Sequence, residues 1–403
     1  MELHCAVQKY AWGKLGCSSL VARLSQADPG AVVDEKEPYA ELWMGTHPSG
    51  PAKIANSEKQ LLEFLKSNPE SLGEKEREVF GGDLPFLFKA LSVAKALSIQ
   101  AHPEKKHAEQ LFQSRPDLYK DPNHKPEMVT AWAGPFEALC GFRPIAEIKS
   151  FVQDIEELAD VIGPDSCQKL SAAGSEAEEK EALKCCFSSL MKCSDEQVAW
   201  ALRKYERRIA TMDATEQEKL LCQLFVRIAA DFPGDVGCWA IYLMNYVVLQ
   251  PGESMFLGPN VPHAYIYGDC LECMACSDNV VRAGLTPKFK DIETLCSMLL
   301  YEPGSVDRFR MQWSSVDERC EECRPPVADF AMARLRLAPR TTAYGLPVRS
   351  SASILLILQG HVRIDDVGQL GYGQILFLKA NEQLTLSAQS DKDVVIYQAF
   401  SNV

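Results

Sequence analysis

Histidine is scarce in this chain, at seven of 403 residues. Long apolar runs are missing too. The longest, Trp239 to Leu249, is interrupted by Asn245 and is too short to cross a bilayer. Lys9, Lys14 and Arg23 break up the apolar residues near the N-terminus, so no signal-peptide core forms there. The C-terminal Ser401-Asn402-Val403 matches no lipidation box and no retention signal. Positive charge is in deficit. With 42 Lys and Arg against 55 Asp and Glu, the formal charge is 42 − 55 = −13. That balance opposes non-specific binding to nucleic acid or anionic membrane, though not a local basic pocket for a small anion. The expectation is a cytoplasmic protein with no nucleic-acid partner and no membrane partner.

Cysteine, in contrast, is abundant, at 15 residues. An odd number suits a reducing compartment, where thiols need no pairing. Cys270, Cys273 and Cys276 form C-x2-C-x2-C, and Cys320 and Cys323 form C-x2-C. Such spacing is found in zinc knuckles and iron–sulfur sites. It is also what separate thiols give in a cysteine-rich chain, where each behaves as a small buried hydrophobe.

Apolar residues at 46%, charged at 24% and aromatic at 9% describe an ordinary globular protein, with length for about two to three domains. Residues 1–143 carry short apolar runs between turn signals such as Pro48-Ser-Gly50 and Gly81-Gly-Asp83, a β texture. One surface helix is expected to start near Pro103 and stop before Pro116. From 144 to 233 the texture is helical. Ile148, Phe151, Ile155 and Leu158 share one helical face, and Ser194 followed by Asp195 and Glu196 reads as a cap with an acidic first turn. Leu220, Leu221, Leu224, Phe225 and Ile228 form another stripe, ended by Pro233-Gly234. From 234 onward β signals return, so the helical block reads as an insertion. The expected domains are 1–143 with 234–300, the insertion 144–233, and 301–403.

The two β regions echo each other. Gly252-Glu-Ser-Met-Phe-Leu-Gly-Pro-Asn260 resembles Gly373-Gln-Ile-Leu-Phe-Leu-Lys-Ala-Asn381 at a constant shift of 373 − 252 = 121 residues. Each is a turn glycine entering a short apolar strand, as in an antiparallel jelly roll. At the same shift His263 meets Leu384, so only the first copy has a histidine there.

Three segments concentrate chemistry. In Ser98-Ile-Gln100-Ala-His102, residues two apart share a strand face, so three polar groups point one way. That face is either solvent-exposed or functional. Tyr119-Lys-Asp-Pro-Asn123-His124-Lys125-Pro126-Glu127 packs polar and charged groups between two prolines. His263-Ala-Tyr265 leads through Glu272 and Asp278 to Arg282 and Lys288, with Asp278 and Arg282 in one phase. Arg suits bidentate phosphate recognition and Lys a point-charge contact. His102, His263 and Glu127, with Gln100 as an unusual neutral oxygen ligand, make a plausible divalent-metal set.

These segments resemble the type I phosphomannose isomerase family. Its signature Y-x-D-x-N-H-K-P-E is matched in full at Tyr119 to Glu127. A second, running from H-A-Y through E-x-M-A-x-S-D-N to R-A-G-x-T-P-K, is matched at His263 to Lys288. Gln8 to Gly13, Tyr39 to Pro48 and Pro85 to Lys89 extend the likeness over most of the chain. The resemblance implies a mainly β fold of two cupin-type jelly rolls, the second without a metal site, with an α-helical domain inserted. It implies a zinc-dependent aldose–ketose isomerase that interconverts mannose 6-phosphate and fructose 6-phosphate and links mannose to GDP-mannose synthesis, glycosylation and glycolysis. Gln100, His102, Glu127 and His263 would hold one Zn2+, and Arg282 would be the active-site arginine. Trp12, Ser98, Lys125, Tyr265, Glu272, Asp278 and Lys288 match pocket positions. A monomer acting on a sugar phosphate is expected. The resemblance also makes Cys270, Cys273 and Cys276 strand residues rather than ligands.

Such a reaction opens the sugar ring, moves a proton between C2 and C1, and must stabilise an enediolate. Metal and Arg282 are the expected charge stabilisers. Glu272 is the first candidate for the base and Lys125 the second. Asp278 either orients Arg282 or assists ring opening, and Lys288, Arg282 and Ser98 are candidates for the phosphate. Two other classes stay open: a cupin that binds sugar without turnover, and an Fe(II) oxygenase, whose sites usually carry more histidines.

Overall fold

The computed structural model describes residues 1–403. Phe86–Val93 reads Phe-Leu-Phe-Lys-Ala-Leu-Ser-Val and is buried at every position, as a near-continuous apolar run predicts for a strand covered on both faces. It lies near the middle of a large antiparallel sheet. The order across that sheet is Arg310–Met311, Ser254–Leu257, Glu127–Phe142, His263–Ala275, Phe86–Val93, Glu41–Met44 and Ala6–Gln8. Met244–Leu249 pairs with the far half of Glu127–Phe142, and Ile99–Ala101 lies between His263–Ala275 and Val281–Gly284.

The two longest strands bend where they cross. The pairing of His263–Ala275 with Glu127–Phe142 shifts register on both sides of Tyr267. Gly268 sits there at φ 118°, and a Cβ on it would come 2.6 Å from the Pro135 carbonyl oxygen. Only glycine lets the backbones approach this closely. The irregularity resets the alternation of faces, so Tyr265 and Glu272, seven residues apart, reach the same side.

The second β unit packs an eight-stranded sheet against a four-stranded one. The large sheet runs Ser314–Ser315, Cys320–Cys323, Ala331–Leu337, Val394–Phe400, Ser353–Gln359, Ile375–Leu378, Glu2–His4 and Lys53–Ile54. Leu335, Leu355, Ile357, Leu376 and Ile396 meet Val362, Ile364 and Leu386 between the sheets. A separate apolar cluster joins the two units, with Phe88, Met128 and Leu271 from one and Ile354, Phe377 and Tyr397 from the other. The architecture is two cupin-type jelly rolls carrying an inserted helical domain.

The sequence echo is also a backbone echo. Ser254–Leu257 and Ile375–Leu378 are strands at the 121-residue shift. Gly252 and Gly373 enter them at φ 88° and 84°, and Asn260 and Asn381 leave at φ 63° and 60°. Leu384, opposite His263 in the echo, belongs to the apolar core of the second unit. The expected boundary near residue 300 is crossed by pairing: Glu2–His4 and Lys53–Ile54 add to the C-terminal sheet, while Arg310–Met311 adds to the first. Edge strands are completed by whichever segment lies beside them, irrespective of chain order.

The helical region runs from Ile145 to Asp231 in seven helices. The stripe expected to be continuous through Ile155 is broken there. Helix Ile145–Asp154 ends and Glu156–Ile162 begins, yet Ile148, Ile155 and Leu158 still share one core. Ser194 caps Asp195–Ile209 by accepting from the Gln197 amide. The surface helix near Pro103 is Lys105–Ser114. Trp239, packed at tilted angles among Tyr205, Phe225 and Tyr242, joins the block to the first β unit. No helix is long and apolar enough to cross a membrane.

Glu76 makes fold stability depend on pH. It is fully buried, its Oε2 accepts from Ser401 Oγ at 2.6 Å, and its Oε1 has no partner. Burial raises its pKa to about 8. The folded chain therefore holds this proton more tightly than the unfolded one. Its stabilising effect is complete below the ordinary carboxylate range and is lost as pH rises through about 8. The wild-type unfolding free energy from denaturant titration should fall between the ordinary carboxylate range and that value, by at most about 1.4 kcal/mol per pH unit from this group. Glu76→Gln should flatten that slope; an unchanged slope would exclude Glu76 as its source.

Candidate metal centre

His102 directly follows the strand Ile99–Ala101, Glu127 opens Glu127–Phe142, and His263 opens His263–Ala275. Each adjoins a proline: Pro103 after His102, Pro126 before Glu127 and Pro262 before His263. Proline fixes φ and donates no hydrogen bond, which suits strand ends and holds their side chains in place. Register does the rest. Gln100 lies opposite His263 on one side and Arg282 on the other.

His102 Nδ1 lies 2.5 Å from the Asn279 carbonyl oxygen, and His263 Nδ1 lies 2.9 Å from that of Val261. A carbonyl only accepts, so each ring carries a proton on Nδ1, and in the neutral imidazole Nε2 is left with a lone pair. Those Nε2 atoms are 3.3 Å from Glu127 Oε1 and Oε2 respectively. Both are buried without a hydrogen-bond partner. Burial, reinforced by the Lys125 ammonium, pushes the His102 pKa down to about 4, which keeps the imidazole neutral. Burial alone would raise the Glu127 pKa, but the Lys125 ammonium outweighs it and holds the carboxyl well below its usual range. Three groups whose ligand atoms lie within 4.8 Å thus offer lone pairs to one point. Histidine nitrogens oriented through Nδ1 around a carboxylate fit a divalent transition-metal ion.

Beside this point is a buried charged wall. Glu272 Oε1 accepts from Tyr265 Oη at 2.7 Å, and Tyr265 Oη also lies 3.3 Å from Glu127 Oε2. Lys89 Nζ is 3.1 Å from Glu272 and 3.5 Å from Glu41. Lys125 Nζ is 3.2 Å from Glu127 Oε1. Burial raises the Glu272 pKa. Burial would lower that of Lys89, but Glu41 and Glu272 outweigh it and the pKa is raised. With every group ionised, two ammoniums and three carboxylates sum to 2 − 3 = −1. A dication would leave the cluster at +1.

Tyr10, Trp12, Glu41, Ser98, Gln100, Arg282 and Lys288 line an adjoining cavity of about 520 Å³. Ser98 Oγ points to Gln100 Oε1 at 3.4 Å. Arg282 is half-buried, and burial lowers its pKa. No carboxylate pairs with it. Lys125, Tyr265 and Glu272 do not line this cavity but stand beside the metal point, around Glu127. Asp278 is not on a strand in phase with Arg282, because regular pairing begins only at Val281. Its carboxylate faces His47 Nε2 at 3.3 Å instead. Lys89, Glu41 and His47 escaped the reading of single residues. The available signal was a lysine inside a largely apolar, fully buried strand. Cys270 and Cys273 sit in apolar clusters, and all 15 cysteines are free thiols.

The model of the phosphomannose isomerase type I catalytic domain matches residues 1–145, and that of the family's helical insertion domain matches 161–244. A mannose-6-phosphate isomerase from Macaca fascicularis is 47% identical over 412 residues, covering 98% of this chain and 97% of its own. The Homo sapiens enzyme of that name is 46% identical with the same coverage. A phosphomannose isomerase mutant from Salmonella typhimurium superposes with TM-score 0.85 at 30% identity, covering 100% of this chain and 99% of the other. A zinc-bound mannose 6-phosphate isomerase superposes equally well, with the same identity and coverage.

Tyr265 holds Glu127 from outside the ligand set, and its loss should be felt there. Divalent-metal affinity, read by competition with a chromophoric chelator, should fall about 10- to 100-fold in Tyr265→Phe. Unaltered affinity would mean that Glu127 is oriented without the phenol.

Proposed function

The chain belongs to the type I phosphomannose isomerase family, and on that footing we propose that it interconverts mannose 6-phosphate and fructose 6-phosphate with one zinc ion. The observation that carries the reading is the pair of buried, unprotonated Nε2 atoms aimed at Glu127. Gln100, His102, Glu127 and His263 hold the ion. Bound there, zinc supplies Lewis-acid polarisation of a substrate oxygen.

The chain's own residues do the rest. Trp12 forms one side of the cavity and Ser98 and Lys288 take the phosphate. Arg282, a half-buried cation with no carboxylate partner, faces the same cavity and is free to stabilise the enediolate oxygen. The proton between C2 and C1 is moved by Lys125 Nζ, which stands against the metal-binding carboxylate and accepts that proton as the neutral amine after giving up its own. Glu272, ranked first for this task from sequence, has both oxygens occupied by Tyr265 and Lys89, so it orients the wall instead. Asp278, turned toward His47 and not toward Arg282, assists ring opening. Formation of mannose 6-phosphate feeds GDP-mannose synthesis and glycosylation, and formation of fructose 6-phosphate returns mannose to glycolysis.

A coupled assay tests this. Mannose 6-phosphate should yield fructose 6-phosphate, the rate should vanish on chelation, and zinc should restore it. Full turnover by metal-free protein would refute the zinc reading. Arg282→Ala should lower kcat on the order of 10²–10³-fold. A kcat within a few-fold of wild type would remove Arg282 from the charge-stabilising role.

A further inference from the structure

Only part of the Tyr119–Glu127 segment is accounted for by the metal and its wall. Asp121 enters neither. Its Oδ1 accepts from the Asn123 amide at 2.8 Å and from Ser277 Oγ at 2.9 Å. Its Oδ2 accepts from the Asp278 amide at 2.7 Å. Its backbone carbonyl accepts from Asn279 Nδ2 at 2.6 Å. Asn123 completes the clasp, with its carbonyl accepting from Asn279 Nδ2 at 2.8 Å and its own Nδ2 donating to the Cys276 carbonyl at 3.0 Å.

What the clasp holds is an irregular stretch, residues 276–279, between two strands. No ladder fixes it, so side-chain contacts must. Two groups are delivered from it. The Asn279 carbonyl oxygen accepts a hydrogen bond from His102 Nδ1, 2.5 Å away. Asp278, one residue earlier, presents its carboxylate to His47. A shift of this carbonyl would free His102 to rotate or to change tautomer, and the lone pair facing Glu127 would be lost.

We propose that Asp121 is a positioning residue for the metal centre, acting through Asn279 to fix the tautomer and orientation of His102, and through the Asp278 amide to place that carboxylate. The inference rests on the zinc reading. The other anchors of the same segment go elsewhere. Tyr119 Oη donates to Asp291, and His124 faces Asp329. A role for Asp121 in merely tying down the loop would be shared by those anchors, whereas a role in the metal centre would not.

The experiment is zinc affinity by chelator competition on the full chain. Asp121→Ala should bind zinc about 10- to 100-fold more weakly, while Tyr119→Phe stays within about threefold of wild type. Asn279→Ala should match Asp121→Ala, and the double variant should lose no more than the worse single one, since both remove one clasp. In zinc-free protein, the Nδ1 proton of His102 should exchange faster in Asp121→Ala. If Asp121→Ala does not fold, Asp121→Asn serves, because it keeps one acceptor oxygen and turns an amide toward the Asp278 N–H; a smaller loss of affinity is then expected. Wild-type affinity in the folded variant, or equal losses in Tyr119→Phe, would overturn the proposal. A wild-type chain that binds no zinc would instead remove the reading beneath it.

Discussion

Two imidazole lone pairs pointing at one buried carboxylate repel unless a cation lies between them, and much of the first β unit is arranged to make that geometry unavoidable. The Asn279 and Val261 carbonyls accept hydrogen bonds from Nδ1, so a neutral ring has no proton left to relieve the repulsion through Nε2. His102 and His263 are each 1% exposed and Glu127 2%, so bulk solvent screens this contact little. Removing a buried polar group from its partner costs about 1–3 kcal/mol, more when charged. Three such groups around one point describe a seat for a metal ion rather than a stable polar core.

That constraint explains the bend of the two long strands. A single flat ladder would put Tyr265 and Glu272 on opposite faces, since they differ by an odd number of positions. The irregularity around Tyr267 and Gly268 reverses the phase once. His263 and Tyr265 then share their side with Glu272, and the charged wall can assemble against the ligands. The strand is thus built in two halves, one presenting a ligand and the other its electrostatic surroundings.

The same feature marks what the sequence could and could not disclose. His102, Glu127 and His263, whose ligand atoms lie within 4.8 Å of one another, were legible as metal donors by residue type and because their segments resemble family signatures. The turn glycines and asparagines of the two echoing strands were legible because positive φ restricts residue choice at those points. The polar face of Ser98 and Gln100 followed from simple alternation, with Ile99 buried on the other side. Alternation failed for Asp278, which lies in a turn held by side chains. It failed for Lys89 as well, because pairing to Glu41 and Glu272 is made across three strands and leaves no local pattern. The strand exchange by Glu2–His4 is of this kind too: its partner Ile375–Leu378 is more than 370 residues away.

Charge shows how local the chemistry is. The chain carries −13 overall, yet Lys95, Arg282 and Lys288 stand on one cavity wall. A long-range negative field slows every anion, but it decays over a Debye length of about 8 Å at physiological salt. Inside that distance the unpaired Arg282 and a metal seat that gains two positive charges set the sign. The buried wall amplifies the change, because Lys89 is already committed to Glu41 and Glu272, and Lys125 to Glu127. Little mobile charge remains there to compensate an arriving dication. Its excess is therefore left for an anionic ligand to neutralise, which couples metal binding to binding of a phosphorylated substrate.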